Sequence, residues 1–66
     1  MTGKQLKKLR ESRCWTVEDA AFRAGVHPNS VRRHEGLPRL DGLRARAIHG
    51  YARAYGVEPN VITKGK

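Results

Sequence analysis

The apolar residues of the chain recur at helical spacing within short segments. The clearest set occupies positions i, i+3, i+4 and i+7 of one segment: Val17, Ala20, Ala21 and Ala24. This spacing places the four side chains on one face of an amphipathic helix. Thr16 precedes the set as a helix-starting residue, and Gly25 follows it as a left-handed helix end. The pattern therefore predicts a helix over 17–24.

Four further helical segments follow from the same kinds of signal. They are a first helix over 3–13, a third over 28–35 with Gly36 at its end, a fourth over 43–55, and a short turn over 58–62. The buried face of the fourth is predicted to hold Ile48, Tyr51, Ala52 and Tyr55. Residues 37–42 are expected to form a loop or an irregular helix entry, and 63–66 a frayed tail. Because no segment has a strand pattern, we expect a single all-α domain of five short helices over 1–66.

The net charge of the chain indicates which class of partner it attracts. Fourteen Lys and Arg face six Asp and Glu, which gives +8, and such a chain attracts polyanions. DNA, RNA, anionic lipid and an acidic protein all remain open on charge alone. Cys14 is the only cysteine, so no internal disulfide can form, and a lone thiol suits the reducing cytoplasm. No apolar run approaches the roughly 20 residues of a membrane span, and the N-terminus lacks a signal-peptide pattern. We therefore expect a cytoplasmic protein without a membrane partner.

The short connection Gly25-Val26-His27 joins the second and third predicted helices. This outline is that of a helix-turn-helix, in which the second helix of the pair enters the major groove of DNA. A generic helical hairpin shares the outline, so composition matters as well. The third helix carries mostly hydrogen-bonding residues, namely Asn29, Ser30, Arg32, Arg33 and His34, and only Val31 is an apolar anchor. A helix so poor in apolar residues gains little from packing, which favours a polar partner on its outer face.

At this point the chain resembles the Cro/C1-type, or xenobiotic-response-element, family of repressors over about residues 4–62. The matching segments are 6–10, 15–21, 25–26, 29–36 and 52–57. The resemblance implies a lambda-repressor-like fold in which Pro28, Asn29 and Arg33 face base edges. It also implies a partly buried ion pair between Arg10 and Glu35.

The resemblance further implies that the loop after the recognition helix and the start of the preceding helix hold phosphates. The chain departs from the family at that helix start. The family commonly has a phosphate-binding Gln where Val17 stands, and a Leu where Ala20 stands. Val17 could still contribute its backbone N–H.

Two sets of candidate DNA contacts result. The base-reading set is Pro28, Asn29, Arg32 and Arg33, and the phosphate-binding set is Thr16, Val17, His27, Arg39, Arg44 and Arg46. Arg33 can contact guanine O6 and N7 with both ends of its guanidinium. Arg32 is the alternative, because a shift of one residue in register exchanges the two. The other interpretation is a solvated side chain at each position or, for His27, a helix cap.

The C-terminal segment is more apolar than a terminal turn requires. Its apolar residues are Val57, Pro59, Val61 and Ile62. We expect a symmetric homodimer through them on a near-palindromic site, or else that Val61 and Ile62 close the core of the monomer. Phe22 lies off the apolar stripe of its helix, and the pattern leaves open whether it packs under the loop over 37–42 or at a dimer contact.

The sequence thus predicts a sequence-specific double-stranded DNA-binding transcriptional regulator, a repressor of phage or mobile-element type. An architectural DNA-binding accessory protein, such as a recombination directionality factor, is one alternative. A helical adaptor for RNA or an acidic protein is another. The three His and Cys14 lack metal-ligand spacing, and no nucleophile, base and orienting group cluster along the chain. We therefore expect no enzyme activity, metal, cofactor or small-molecule ligand.

Overall fold

Five helices appear in the computed structural model, which describes residues 1–64. They are α1 Gly3–Ser12, α2 Val17–Ala24, α3 Pro28–Glu35, α4 Ala45–Tyr55 and α5 Pro59–Thr63. No strand occurs within residues 1–64, so the all-α prediction with five short helices is confirmed. The longest helix has 11 residues, and no helix in this range is long and apolar enough to span a membrane.

The C-terminal tail begins later than predicted. Thr63, assigned to the tail from the sequence, is the last residue of α5, and the Lys64 N–H returns to the Asn60 carbonyl oxygen at 3.0 Å. This backbone hydrogen bond extends the helical turn beyond the apolar residues that marked it in the sequence. Residues 65 and 66 of the predicted tail lie outside the described residues.

Side-chain caps determine where the first helices begin. At α2 the Thr16 hydroxyl oxygen accepts the Asp19 N–H at 3.1 Å, and the Asp19 carboxylate accepts the Thr16 N–H at 3.0 Å. This capping box satisfies two backbone donors that the helix itself cannot. Thr2 and Gln5 form the same arrangement at the start of α1.

The fourth helix begins at Ala45 and not at residue 43 as predicted. Leu43 belongs to the preceding turn, where its N–H bonds to the Leu40 carbonyl oxygen at 3.3 Å. Arg44 is extended, with φ −63° and ψ 147°, and this conformation interrupts any helix that started earlier. Leu40 is fully buried, so the loop is held to the core by its own apolar side chain.

One hydrophobic cluster holds the helices together. α2 packs against both α3 and α4, while α1 packs on α3 and α5 on α4. All four residues predicted for the buried face of the fourth helix lie in this cluster. Gly50 of α4 lies directly against the backbone carbonyl of Ala24, so α2 and α4 are almost in backbone contact. The α2–α3 pair is thereby supported from behind by α4 and from the side by α1.

Candidate nucleic-acid interface

The connection between α2 and α3 is a three-residue turn. Gly25 takes the left-handed conformation, with φ 71° and ψ 31°, that ends α2. The Val26 N–H returns to the Ala21 carbonyl oxygen at 3.0 Å, and α3 begins at Pro28. The two helices therefore have the connection predicted for a helix-turn-helix unit.

The exposed face of α3 carries Asn29, Arg32 and Arg33 at positions i, i+3 and i+4. Arg32 donates hydrogen bonds to Asn29 Oδ1 at 3.0 Å and to Glu18 Oε2 at 3.1 Å. Arg33 takes part in none of the three ion pairs among residues 1–64. Of the two arginines that the sequence left as alternatives, Arg33 is thus the one without a carboxylate partner in this range. Pro28, at the start of the helix, is half-buried.

A cleft of about 510 Å³ lies beside α3. Its polar lining consists of His27, Ser30, Arg33, His34, Arg44 and Arg46. The three arginines are exposed, and no carboxylate belongs to the described residues that line the cleft. Uncompensated positive charge in a concave surface concentrates anions. The cleft therefore brings together three predicted DNA-contacting arginines and His27.

The start of α4 contributes to the same cleft. Arg44 is the N-cap residue of α4, and in the described part of the chain no side chain caps this helix. Its first backbone N–H groups therefore lack a side-chain acceptor, and the helix dipole adds partial positive charge at this end. Backbone donors beside Arg44 and Arg46 suit the oxygens of a phosphate group.

His27 caps α3. Its Nδ1 accepts the Asn29 N–H at 3.0 Å, which matches the cap interpretation left open by the sequence. Because Nδ1 is the acceptor, a neutral ring carries its proton on Nε2. The Nε2–H group can donate a hydrogen bond to an anion in the cleft while Nδ1 caps the helix. Capping and phosphate binding are therefore compatible for His27.

The prediction that Val31 alone anchors α3 is wrong. His34, which was grouped with the polar outer face, is only 7% exposed, and its Nδ1 lies 2.7 Å from the Tyr51 hydroxyl oxygen. Burial, with a smaller effect from the positive charge of Arg33, lowers the pKa of His34. The ring is therefore neutral at pH 7, and α3 is anchored by Val31 and by a hydrogen-bonded His34.

The start of α2 has a less favourable charge for the predicted phosphate contacts. Thr16 is engaged in its capping box with Asp19. Glu18, in the same turn of α2, forms an ion pair with Arg32 of α3. Both carboxylates are exposed and belong to the first turn of α2, as Val17 does. Because two negative charges oppose an approaching phosphate, this helix start is a weaker candidate than the cleft.

Arg39 lies in the loop and is not among the residues that line the cleft. It donates to Asp41 Oδ2 at 2.9 Å, and the two side chains are 64% and 47% exposed. Exposed ion pairs contribute little free energy. Arg39 can therefore exchange Asp41 for a phosphate at little cost.

The ion pair that the resemblance implied between α1 and the end of α3 is present. Arg10 Nε and Nη2 donate to the two carboxylate oxygens of Glu35, at 2.8 and 3.1 Å, and Nη1 donates to the Trp15 carbonyl oxygen at 3.0 Å. The side chains of Arg10 and Glu35 are only 12% and 7% exposed. The hydrogen bond with Glu35 raises the pKa of Arg10. The pair ties the last turn of α3 to α1.

The predicted C-terminal dimer contact is wrong for one of its residues. Ile62 is fully buried in the core, because α5 packs on α4, and its side chain cannot reach a second chain. Val57 and Pro59 are half-buried, while Val61 is 42% exposed. Phe22 is 88% exposed, so it does not pack under the loop, and a contact with a second copy stays a prediction.

The chain matches no family model, no curated protein and no solved structure.

Proposed function

We propose that the protein is a sequence-specific double-stranded DNA-binding regulator of the Cro/C1 type, with α3 as the recognition helix. The observation that carries the proposal is the cleft beside α3, where Arg33 meets Arg44 and Arg46 without a carboxylate among the described lining residues. The major groove is about 12 Å wide and admits one helix. With α3 in the major groove, Arg44 and Arg46 at the start of α4 would face the adjoining sugar-phosphate backbone of the DNA.

Arg33 is the principal base-reading residue in this proposal. Its guanidinium has no carboxylate partner within residues 1–64 and can form a two-pronged contact with guanine O6 and N7. Arg32 and Asn29 hydrogen bond to each other and present a joined pair of donors on the same face. Pro28 can offer only an apolar contact, for which a thymine methyl group is the matching feature.

The phosphate contacts in this proposal come chiefly from the cleft. Arg44, Arg46 and His27 line the cleft, and Arg44 immediately precedes the first backbone N–H groups of α4. Charged and backbone donors at a helix start hold phosphates in register without reading the sequence. Arg39 adds a more exposed contact from the loop.

The proposed biological role is repression by occupancy, in a phage or mobile-element setting, and at least two copies act on one site. A single short helix covers only about four or five base pairs, too few to select one site among many competitors. Two copies on half-sites about one helical turn apart double the readout. A near-palindromic site is therefore expected.

The experiment begins with selection of binding sites from random duplex DNA, followed by affinity measurements on the selected and a scrambled duplex. Arg33→Ala should lose about 1–3 kcal/mol on the selected site, little on the scrambled one, and relax the preference at one base pair. Arg44→Ala should weaken both duplexes alike. Arg53→Ala, on the exposed face of α4 and outside the cleft lining, is the matched control and should change neither.

Several outcomes would contradict parts of the proposal. Equal losses on both duplexes for Arg33→Ala would move base reading to Arg32 or Asn29. Selection that yields no preferred sequence would overturn specific regulation and favour the architectural alternative. Tighter binding to RNA than to duplex DNA would favour the adaptor.

A further inference from the structure

Phe22 is an exposed aromatic side chain on a folded helix. It is 88% exposed and lies on the side of α2 opposite the buried Ala20, Ala21 and Ala24. Glu18 and Asp19, at positions i−4 and i−3, flank it on the same surface. Among the described helices, only α2 carries more acidic than basic residues. Phe22 with Glu18 and Asp19 thus forms an aromatic knob flanked by two carboxylates. Glu18 also holds an exposed ion pair with Arg32 of α3 at 3.1 Å, and exposed pairs of this kind exchange partners at little cost.

A mostly apolar groove lies elsewhere on the molecule, between α1 and α5. It has a volume of about 400 Å³, and its lining includes Met1, Leu9, Val57 and Val61. Lys8 is the only charged side chain among the described residues that line it. Lys4 and Lys7 are also exposed on α1, so one wall of the apolar groove is a lysine-rich helix.

The geometry points to a second copy of this chain as the occupant of the groove. We propose that Phe22 of one copy inserts into the groove between α1 and α5 of the next, with Glu18 and Asp19 facing Lys8. Knob and groove are complementary in polarity, since an aromatic ring meets aliphatic side chains, and in charge, since carboxylates meet an ammonium group. The contact covers Phe22 and Val61, the two large apolar side chains that are exposed among residues 1–64.

This contact is head-to-tail and not symmetric. A two-fold contact through the C-terminal residues, as the sequence predicted, would oppose the lysine-rich α1 of one copy to that of its partner and would leave Phe22 exposed. In the head-to-tail contact each copy offers a knob at one surface and a groove at another, so the assembly continues beyond two copies unless a ring closes. The proposal concerns the protein without DNA and stands apart from the proposed DNA binding.

The charge of the whole chain sets the conditions under which this contact forms. Copies carrying +8 each repel one another at low salt, and this repulsion is screened within about 3 Å at 1 M salt. Salt also screens the attraction of Glu18 and Asp19 for Lys8, but exposed ion pairs contribute little, and burial of Phe22 is not weakened by salt in this way. Association should therefore strengthen as salt rises, whereas binding to DNA would weaken.

The first test is sedimentation of the protein alone at about 0.15 and 0.5 M salt. Because small contacts are weak, protein concentrations should reach about 1 mM. The average mass should rise above 7.4 kDa with concentration, more steeply at higher salt. It should pass beyond that of a dimer unless two copies close a ring in which each groove holds the Phe22 of the other copy. A mass that stays at that of one chain would overturn the proposal.

The second test uses two complementary variants. Phe22→Ala removes the knob and leaves the groove, while Val61→Asp blocks the groove and leaves the knob. Each alone should remain monomeric, and an equal mixture should form a one-to-one complex and stop there. Self-association of Phe22→Ala equal to that of the wild type would overturn the proposal, as would a mixture that remains monomeric while circular dichroism shows both variants folded.

Lys8→Glu tests the rim of the groove without touching the core, because Lys8 is exposed. It should reduce self-association, since it places a carboxylate against Glu18 and Asp19. The variant also lowers the net charge of each copy, which by itself would favour association, so a loss would be specific to the contact. Unchanged or stronger association would count against the proposed orientation. Arg53→Ala is the control at an exposed position outside the lining of the groove and should behave like the wild type.

Discussion

At the scale of single residues, the ion pair of Arg10 and Glu35 joins two distant parts of the chain. All three guanidinium nitrogens of Arg10 have an acceptor, two of them on Glu35, and both side chains are nearly buried. Buried charges are stabilising only when their hydrogen bonds are complete. Loss of one partner would therefore leave the other charge desolvated and unpaired.

Glu35→Gln should lower the free energy of unfolding by about 3 kcal/mol or more. For a domain of this size, the melting temperature would fall by roughly 12 °C or more. Asp41→Asn is the matched control, because it breaks the exposed pair with Arg39 and should cost at most about 1 kcal/mol. Thermal unfolding followed by circular dichroism measures both. Similar melting temperatures for Glu35→Gln and the wild type would mean that the buried pair contributes no more than an exposed one.

Replacement by phenylalanine should have opposite effects on stability at the two buried tyrosines of α4. The Tyr51 hydroxyl is hydrogen bonded to His34 Nδ1, whereas the buried Tyr55 hydroxyl has no partner within residues 1–64. Tyr51→Phe should cost about 1–3 kcal/mol, because it leaves a buried imidazole nitrogen unpaired. Tyr55→Phe should be neutral or stabilising, because it removes an unsatisfied polar atom. Urea unfolding of the two variants gives the comparison, and a larger loss for Tyr55→Phe would contradict it.

At the scale of elements, the close approach of α2 and α4 holds the helix-turn-helix pair against the rest of the protein. A Cβ at Gly50 would overlap the backbone carbonyl of Ala24, and a backbone group cannot rotate away as a side chain can. Any residue larger than glycine at this position must therefore separate the helices.

Gly50→Ala should destabilise the protein by about 1–3 kcal/mol, the usual cost of overpacking. Gly42→Ala is the matched control, because a Cβ at Gly42 meets open space, and it should be neutral or slightly stabilising. Denaturant unfolding of the two variants measures the difference. Equal stability of the two variants would show that α2 and α4 can move apart at little cost in free energy.

At the scale of the whole molecule, a charge of +8 on 66 residues makes DNA affinity depend strongly on salt. With about five phosphates neutralised per copy, the slope of log K against log salt should be roughly −4 to −5. Arg44→Ala should reduce the magnitude of this slope by about 1, while Arg53→Ala should leave it nearly unchanged. Titrations of one duplex at several salt concentrations test this, and a nearly flat dependence would exclude phosphate-dominated binding.

The sequence by itself determined most of the local structure. The apolar spacing and Thr16 predicted α2, Pro28 predicted the start of α3, and Gly25 predicted the turn between them, because helix starts and ends depend on residues close together in the chain. Composition alone determined the basic charge. The resemblance, carried by spaced segments, supplied the Arg10–Glu35 pair.

Tertiary packing accounts for which side chains meet across the chain. It brought His34 to Tyr51, buried Ile62 under α4, paired Arg32 with Glu18, and placed Arg33 in the lining of the cleft. It also left Phe22 in solvent. Helical periodicity shows which residues share a face, but the direction of that face and what covers it depend on how separate helices pack. For that reason the helices were predictable from the sequence. The set of residues that form the site was predictable only in part.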